Sequence, residues 1–186
     1  MIRPEYRDML VEQRKGNPGW GGSAVRNAGD HVVRWLNKRK DIQTVLDFGC
    51  GVGTLGEYVG ERAERFVNWY EYDPSVAGKD ELPTRTFDAI ITTDVLEHIE
   101  PCSLDSTLAW IREHATRSQF HHIDCNDNKD LLPDGRSVHL IVEEMDWWEM
   151  QLLGVEPEWI TMYFSQIAQR KRGRMRYSGT LILDRS

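Results

Sequence analysis

At 186 residues and 21.6 kDa, with 40% hydrophobic and 28% charged residues, the chain can build one domain with a sizeable core, and seven Trp and six Tyr exclude intrinsic disorder. No apolar run approaches a membrane span, the start MIRPEYRDML lacks a signal peptide's apolar core, and the odd set Cys50, Cys102 and Cys125 implies neither disulfides nor structural zinc, so a cytoplasmic protein with reduced thiols and no membrane partner is expected. The net charge of −7 is uneven: residues 1–40 carry nine Lys/Arg against four acids, residues 41–169 eight against twenty-five, and residues 170–176 five basic residues and no acid.

Residues 2–15 suit a short helix with Tyr6, Met9 and Leu10 on one side. A stronger helix is predicted over 23–40, capped by Ser23, where Ala24, Ala28, Val32, Trp35 and Leu36 recur at helical spacing. The period then changes. Residues 44–48 (TVLDF) predict a buried strand, glycines follow at once, and a helix is expected from about Thr54 to Arg65. Strands at 66–72, 87–93 and 119–124, helices at 103–116 and 142–153, and final strands at 159–164 and 177–183 complete the order. Strands separated by helices predict an α/β fold: a doubly wound, mostly parallel sheet, helices on both faces, and an antiparallel last strand reached through a basic turn. Residues 1–186 read as a single domain, with 1–40 an N-terminal helical cap or lid and 41–186 a cofactor-binding core.

The informative stretch runs from Val45 to Gly56, VLDFGCGVGTLG, where a strand feeds a glycine turn and then a helix. Glycine lets the backbone approach a ligand closely, so a cofactor is expected at this crevice. Asp73, twenty residues after Gly53 at the end of the second strand, is placed to accept hydrogen bonds from ribose hydroxyls. Gly51-x-Gly53-x-x-Gly56 also satisfies the dinucleotide fingerprint. Asp47 speaks against that reading, because a carboxylate beside the glycines would repel a pyrophosphate and suits a cofactor bearing positive charge.

LDFGCGVGTL (46–55), YDPS (72–75) and FDAIITTDVLEHI (87–99), in that order, resemble the class I S-adenosylmethionine-dependent methyltransferases. The resemblance runs from about residue 44 to 125. It implies a Rossmann-like fold with S-adenosylmethionine as cofactor and S-adenosylhomocysteine as product. Asp47, Gly49, Gly51 and Gly53 would hold the methionine end, with Phe48 and Cys50 in the same turn. Asp73, followed by Pro74, would bind the ribose, and Asp94 and Val95 would lie beside the cofactor. One departure stands out: only eight residues separate Asp73 from Leu82-Pro83, where the family usually has a helix and a third strand carrying an adenine-contacting acid. Asp80 is the candidate to stand in for that acid, and the exposed sheet edge this leaves needs covering or pairing.

Methyl transfer is an in-line displacement, in which the protein mainly aligns the acceptor and excludes water. His122 and Asp124 end the fourth predicted strand, at 119–124, facing one side, and His139 follows a polar loop. These are the candidate catalytic residues, needed as a base only if the acceptor loses a proton. Tyr6 and Trp20, beside the Gly19-Trp20-Gly21-Gly22 stretch, are expected to contact substrate from a lid, and Trp147-Trp148 to line the pocket. No metal is expected: His121-His122-x-Asp124-Cys125 has ligand types, but neighbours on a strand point to opposite faces, and Glu97-His98 reads as a helix start. Cys102 comes too late after its strand to match the nucleophile of cytosine-C5 methyltransferases, and the Asn/Asp-Pro-Pro-aromatic tetrapeptide of amino-methylating DNA enzymes is absent. The reading is therefore a methyltransferase acting on a small molecule or nucleotide. The alternative is a catalytically degenerate cofactor-binding module that assists a protein or nucleic-acid partner through its basic ends.

Overall fold

A computed structural model describes residues 2–17, 19–20, 22–154, 158–171 and 174–186; Gly21 of the glycine-rich stretch and Arg172 of the basic turn lie outside them. The centre of the sheet is β1 (Thr44–Phe48), buried at four of its five positions. On either side of it, β2 (Asn68–Tyr72) and β3 (Phe87–Thr93) pair in parallel, and β4 (Ala115–Asp124) runs parallel to β3. The ribbon β5 (Trp159–Lys171) and β6 (Arg174–Arg185) closes the sheet antiparallel, giving the order β2-β1-β3-β4-β6-β5. Helices α1 (Pro4–Gly16), α2 (Asp30–Lys38), α3 (Thr54–Arg62), α4 (Pro101–His114) and α5 (Met145–Leu153) complete the α/β fold, whose mostly parallel sheet and antiparallel end match the expectation. No helix of the described residues is long and apolar enough to cross a membrane.

Alternation along β1 builds the two faces. Val45 packs with Val32 and Leu36 of α2 and with Leu55 and Val59 of α3, whereas Leu46 and Phe48 pack with Leu104 and Leu108 of α4 and Trp148 of α5. The first helix lies on neither face. Tyr6 and Leu10 of α1 join Leu132 and Val138 of the polar loop after β4, which places α1 across the carboxyl ends of the strands.

Residues 73–86 carry turns alone, so neither helix nor strand follows β2, and β2 forms an edge. Its exposed side is partly covered by Arg85, whose guanidinium lies 4.8 Å from the Tyr70 ring centre and donates to the Tyr70 hydroxyl at 2.8 Å.

Four expectations are corrected. Ser23 caps no helix; a π-helical turn, Val25–Gly29, precedes α2, and the Ser23 hydroxyl is used elsewhere. β4 starts at Ala115, four residues before the expected Gln119, in a stretch whose exposed Thr116 and Arg117 give no apolar signal in the sequence. The basic connection is mostly strand, since β5 runs to Lys171 and β6 resumes at Arg174. Trp147 and Trp148 pack with the α4 face, Trp148 fully buried, and neither borders the cavity described below.

Candidate active site

The turn after β1 is built from left-handed glycines. Gly49 has φ +82°, and a Cβ there would fall 2.5 Å from Val95 Cγ2; at Gly53, φ +91°, a Cβ would run into Glu71 Oε1 and Lys79 Nζ. The Gly51 amide donates to Asp73 Oδ2 at 2.9 Å, tying the turn to the end of β2. The same oxygen meets Arg14 Nη2 at 3.3 Å, while Asp73 Oδ1 accepts from the Ser75 amide (2.9 Å) and hydroxyl (2.6 Å). All of this carboxylate's roughly four acceptor positions are therefore in use.

Asp47 is the opposite case. It is buried and neither oxygen has a partner among the described residues. Burial first, then the nearby Glu71 and Asp73 carboxylates, push it up to about 8, against the pull of Lys79. A carboxylate whose folded-state pKa is raised holds its proton longer than in the unfolded chain, so the native state loses stability as pH climbs from about 3.8 to about 8. Asp47→Asn, which cannot ionise, is expected to match the wild type near pH 4 and to exceed it in stability at pH 8. Urea unfolding at the two pH values checks this, and parallel pH profiles for both proteins would refute it.

At the ends of β3 and β4, Asp94 takes a left-handed conformation (φ 55°), a strained choice for a non-glycine residue. Its amide donates to the His122 carbonyl at 2.9 Å, and its Oδ2 accepts from Ser23 Oγ (3.0 Å) and Asn27 Nδ2 (2.6 Å). Asp94 Oδ1 is buried with no hydrogen-bond partner among the described residues and lies 3.9 Å from His122 Nε2. The His122 Nδ1 pairs with Thr180 Oγ1 at 3.0 Å. Burial lowers the pKa of His122, opposed by Asp94 and Asp124, so its imidazole is neutral at pH 7. Asp124 is committed differently, to Arg176 through Oδ2 (2.7 Å) and to Asn126 through Oδ1. Both ring nitrogens of His139 are bonded, Nδ1 to the Asn126 carbonyl (2.6 Å) and Nε2 to Asn128 Nδ2 (3.0 Å).

Over these groups lies α1, latched along its length. Arg3 pairs with Glu100, Tyr6 donates to the His98 carbonyl, Arg7 bonds the Pro74 carbonyl and Asp80, and Arg14 bonds Asp73, Ser75 and the Trp20 carbonyl. Beneath it is a cavity of about 730 Å³. It is lined by Phe48, Gly49, Asp73, Pro74, Asp94 and Val95 of the glycine-turn region, by His122, Asp124 and His139, and by Tyr6 and Trp20 from the N-terminal segment. Asp47, Cys50, Gly51 and Gly53 stand behind that wall, and Asp80 lies outside it in its pair with Arg7. Sequence reasoning does not single out Arg14 or Asn27, and it gives Ser23 only as a helix cap. Ser23 and Asn27 do carry one local signal, an i, i+4 spacing that lets two side chains converge on a single acceptor.

Residues 22–153 match the family model described as the methyltransferase domain. The chain belongs to the methyltransferase-domain family. No curated protein matches its sequence. Similar solved structures include magnesium protoporphyrin IX methyltransferase of Synechocystis PCC 6803 with bound SAM, at 16% identity, 100% coverage of both chains and a TM-score of 0.67. Burkholderia thailandensis 1,6-didemethyltoxoflavin-N1-methyltransferase, with bound 1,6-didemethyltoxoflavin and S-adenosylhomocysteine, is 18% identical over 100% of this chain and 92% of that one, with a TM-score of 0.65. They share the fold with this methyltransferase. Helix α1 and the β5–β6 ribbon lie outside the matched residues, so the roof of the cavity and one end of its wall are features beyond the family's matched core.

Proposed function

We propose that this methyltransferase takes its methyl group from S-adenosylmethionine and delivers it to a small molecule or nucleotide held under α1. The observation that carries the reading is the roofed cavity of about 730 Å³, which joins the glycine turn to His122 and falls within the roughly 300–1,000 Å³ of small-molecule sites. A duplex cannot pass beneath the latched helix. The residues present suit the cofactor: Asp94 Oδ1, without a hydrogen-bond partner among the described residues, offers an acceptor at the cavity to a cationic, hydrogen-bond-donating ligand, and the Gly49 and Gly53 positions admit no side chain. When bound, the cofactor supplies a methyl group activated on a sulfonium.

The chain's own residues do the rest. Asp73 receives the ribose hydroxyls, for which Arg14 and the Ser75 hydroxyl give up their bonds to it. Tyr6 and Trp20 hold the acceptor and exclude water. His122, neutral and flanked by Asp94, takes a proton from acceptors that must lose one, and Asp94 stabilises the imidazolium. Because Arg14 competes for Asp73, Arg14→Ala is expected to tighten S-adenosylhomocysteine binding about fivefold, roughly the worth of one modest hydrogen bond. Weaker binding in that variant would make Arg14 a cofactor ligand instead.

Calorimetric titration with S-adenosylmethionine, S-adenosylhomocysteine and NADH, followed by transfer of tritiated methyl to a metabolite extract, tests the reading. Micromolar binding of the two sulfur compounds and a labelled product are expected. Binding of NADH alone would overturn it, and cofactor binding with no labelled product would leave a cofactor-binding module.

A further inference from the structure

The loop after β4 brings His139 to Glu97 and His98, although the sequence separates them by some forty positions. The Glu97 carbonyl accepts from the Leu140 amide at 2.8 Å and the Ile141 amide at 3.1 Å, which fixes the loop against the 3-10 turn Leu96–His98. One carboxylate oxygen and one ring nitrogen from each of Glu97, His98 and His139 then lie within 4.8 Å of one another. His98 and His139 meet edge to face with ring centres 4.7 Å apart, and both border the cavity.

The hydrogen bonds around the three residues select the atoms that remain. His98 Nδ1 lies 2.7 Å from the Val138 carbonyl and His139 Nδ1 2.6 Å from the Asn126 carbonyl. A carbonyl can only accept, so each Nδ1 carries the proton and each Nε2 keeps its lone pair. Imidazoles that ligate metals are held in this way, with the other ring N–H given to a backbone carbonyl. Glu97 is fully buried. Its Oε1 accepts from the Asp124 amide at 2.9 Å, while Oε2 has no partner among the described residues. An unpaired oxygen at zero exposure is costly unless a cation or a proton occupies it.

We infer that Glu97 Oε2, His98 Nε2 and His139 Nε2 form a binding site for one first-row divalent transition-metal ion, with an open coordination position facing the cavity. Two imidazoles and one carboxylate suit such ions, zinc among them. Metal–ligand bonds of about 2.0–2.2 Å are within reach of residues whose ligand atoms come within 4.8 Å of one another, and Asn128 Nδ2 gives up its bond to His139 Nε2. On the methyltransferase reading, the open position takes an oxygen of the acceptor, which assigns the acceptor to hydroxyl-bearing compounds whose oxygen is to be methylated. The metal site itself does not depend on that reading.

The test uses the full chain and zinc alone. After chelator treatment and dialysis, titration calorimetry with ZnCl2 is expected to show one ion per chain, and Co2+ in its place to give visible d–d absorption bands. Loss of an outer-shell partner costs about 10–100-fold in metal affinity, so loss of a ligand in Glu97→Gln or His139→Gln is expected to cost at least about 100-fold. Gln at 97 keeps the acceptor for the Asp124 amide, and a circular-dichroism melt verifies that each variant folds. Asn128→Ala, which frees His139 Nε2, is expected to bind zinc at least as tightly as the wild type. Absence of a one-to-one ion in the wild type would overturn the site and leave Glu97 as a protonated buried acid. Zinc retained in folded His139→Gln would equally overturn it, by tracing the ion to thiols elsewhere. Titration of the same samples with S-adenosylhomocysteine reports separately on the cofactor reading.

Discussion

Replacing Asp73 with alanine is expected to weaken S-adenosylmethionine binding about 100-fold or more while leaving a folded protein. Asp73 is 7% exposed, and a buried hydrogen bond to an ionised group contributes about 1.5–3 kcal/mol. Two ribose hydroxyls bonded to it thus account for roughly 3 kcal/mol net of the exchange with Ser75 and Arg14, and every 1.4 kcal/mol is a factor of ten. The variant also strips a partner from the Gly51 amide, so the turn that cradles the cofactor loosens as well. Asp73→Asn separates the two effects, because one amide oxygen can still accept from Gly51 while the negative charge is gone. Calorimetric Kd values for the three proteins, with thermal melts as controls, check the assignment. Wild-type affinity in Asp73→Ala would remove Asp73 from the cofactor site and return its four bonds to a purely structural role.

The half of the site around β1 was legible because its signals are local. Val45 to Phe48 is apolar but for Asp47, the glycines follow directly, and Asp73 sits one strand further on; only eight residues separate Asp73 from Leu82-Pro83, which leaves the third strand and its helix missing or vestigial. The roof was legible as a helix but not as a set of contacts. Arg7 meets Asp80 across 73 positions and Arg14 meets Asp73 across 59, distances over which a solvated charge and an ion pair look alike in sequence. Ser23 shows the same confusion from the other side: a residue type that caps helices was read as a cap, whereas its hydroxyl reaches Asp94 in the tertiary structure. The sequence marks His139 as a candidate catalytic residue after a polar loop, and Glu97-His98 as a helix start. Their meeting depends on the loop pinned by the Glu97 carbonyl, which no periodicity encodes.

Trp148→Ala is expected to destabilise the protein by about 3–5 kcal/mol, a large share of the roughly 5–15 kcal/mol that holds a domain of this size together. Trp148 is fully buried and heads the largest such side chains, among Leu46, Phe48, Leu104 and Leu108 on the α4–α5 face. Its removal leaves a cavity that a five-membered β1 in the sheet centre cannot collapse to fill. Trp148→Phe is expected to cost far less. It keeps most of the apolar contact, and Trp148 Nε1 has no hydrogen-bond partner among the described residues, so deleting that buried N–H removes a penalty. Urea-denaturation midpoints for the two variants, with the half-buried Trp147→Ala as a comparison, measure the difference; a loss below about 1 kcal/mol in Trp148→Ala would show that α5 is only loosely docked. The same packing reaches function. Leu46 and Phe48 are at once the floor under Trp148 and the last strand residues before Gly49, so slack beneath β1 is passed directly to the glycine turn, and cofactor affinity should fall in Trp148→Ala although no atom of that side chain touches the cavity.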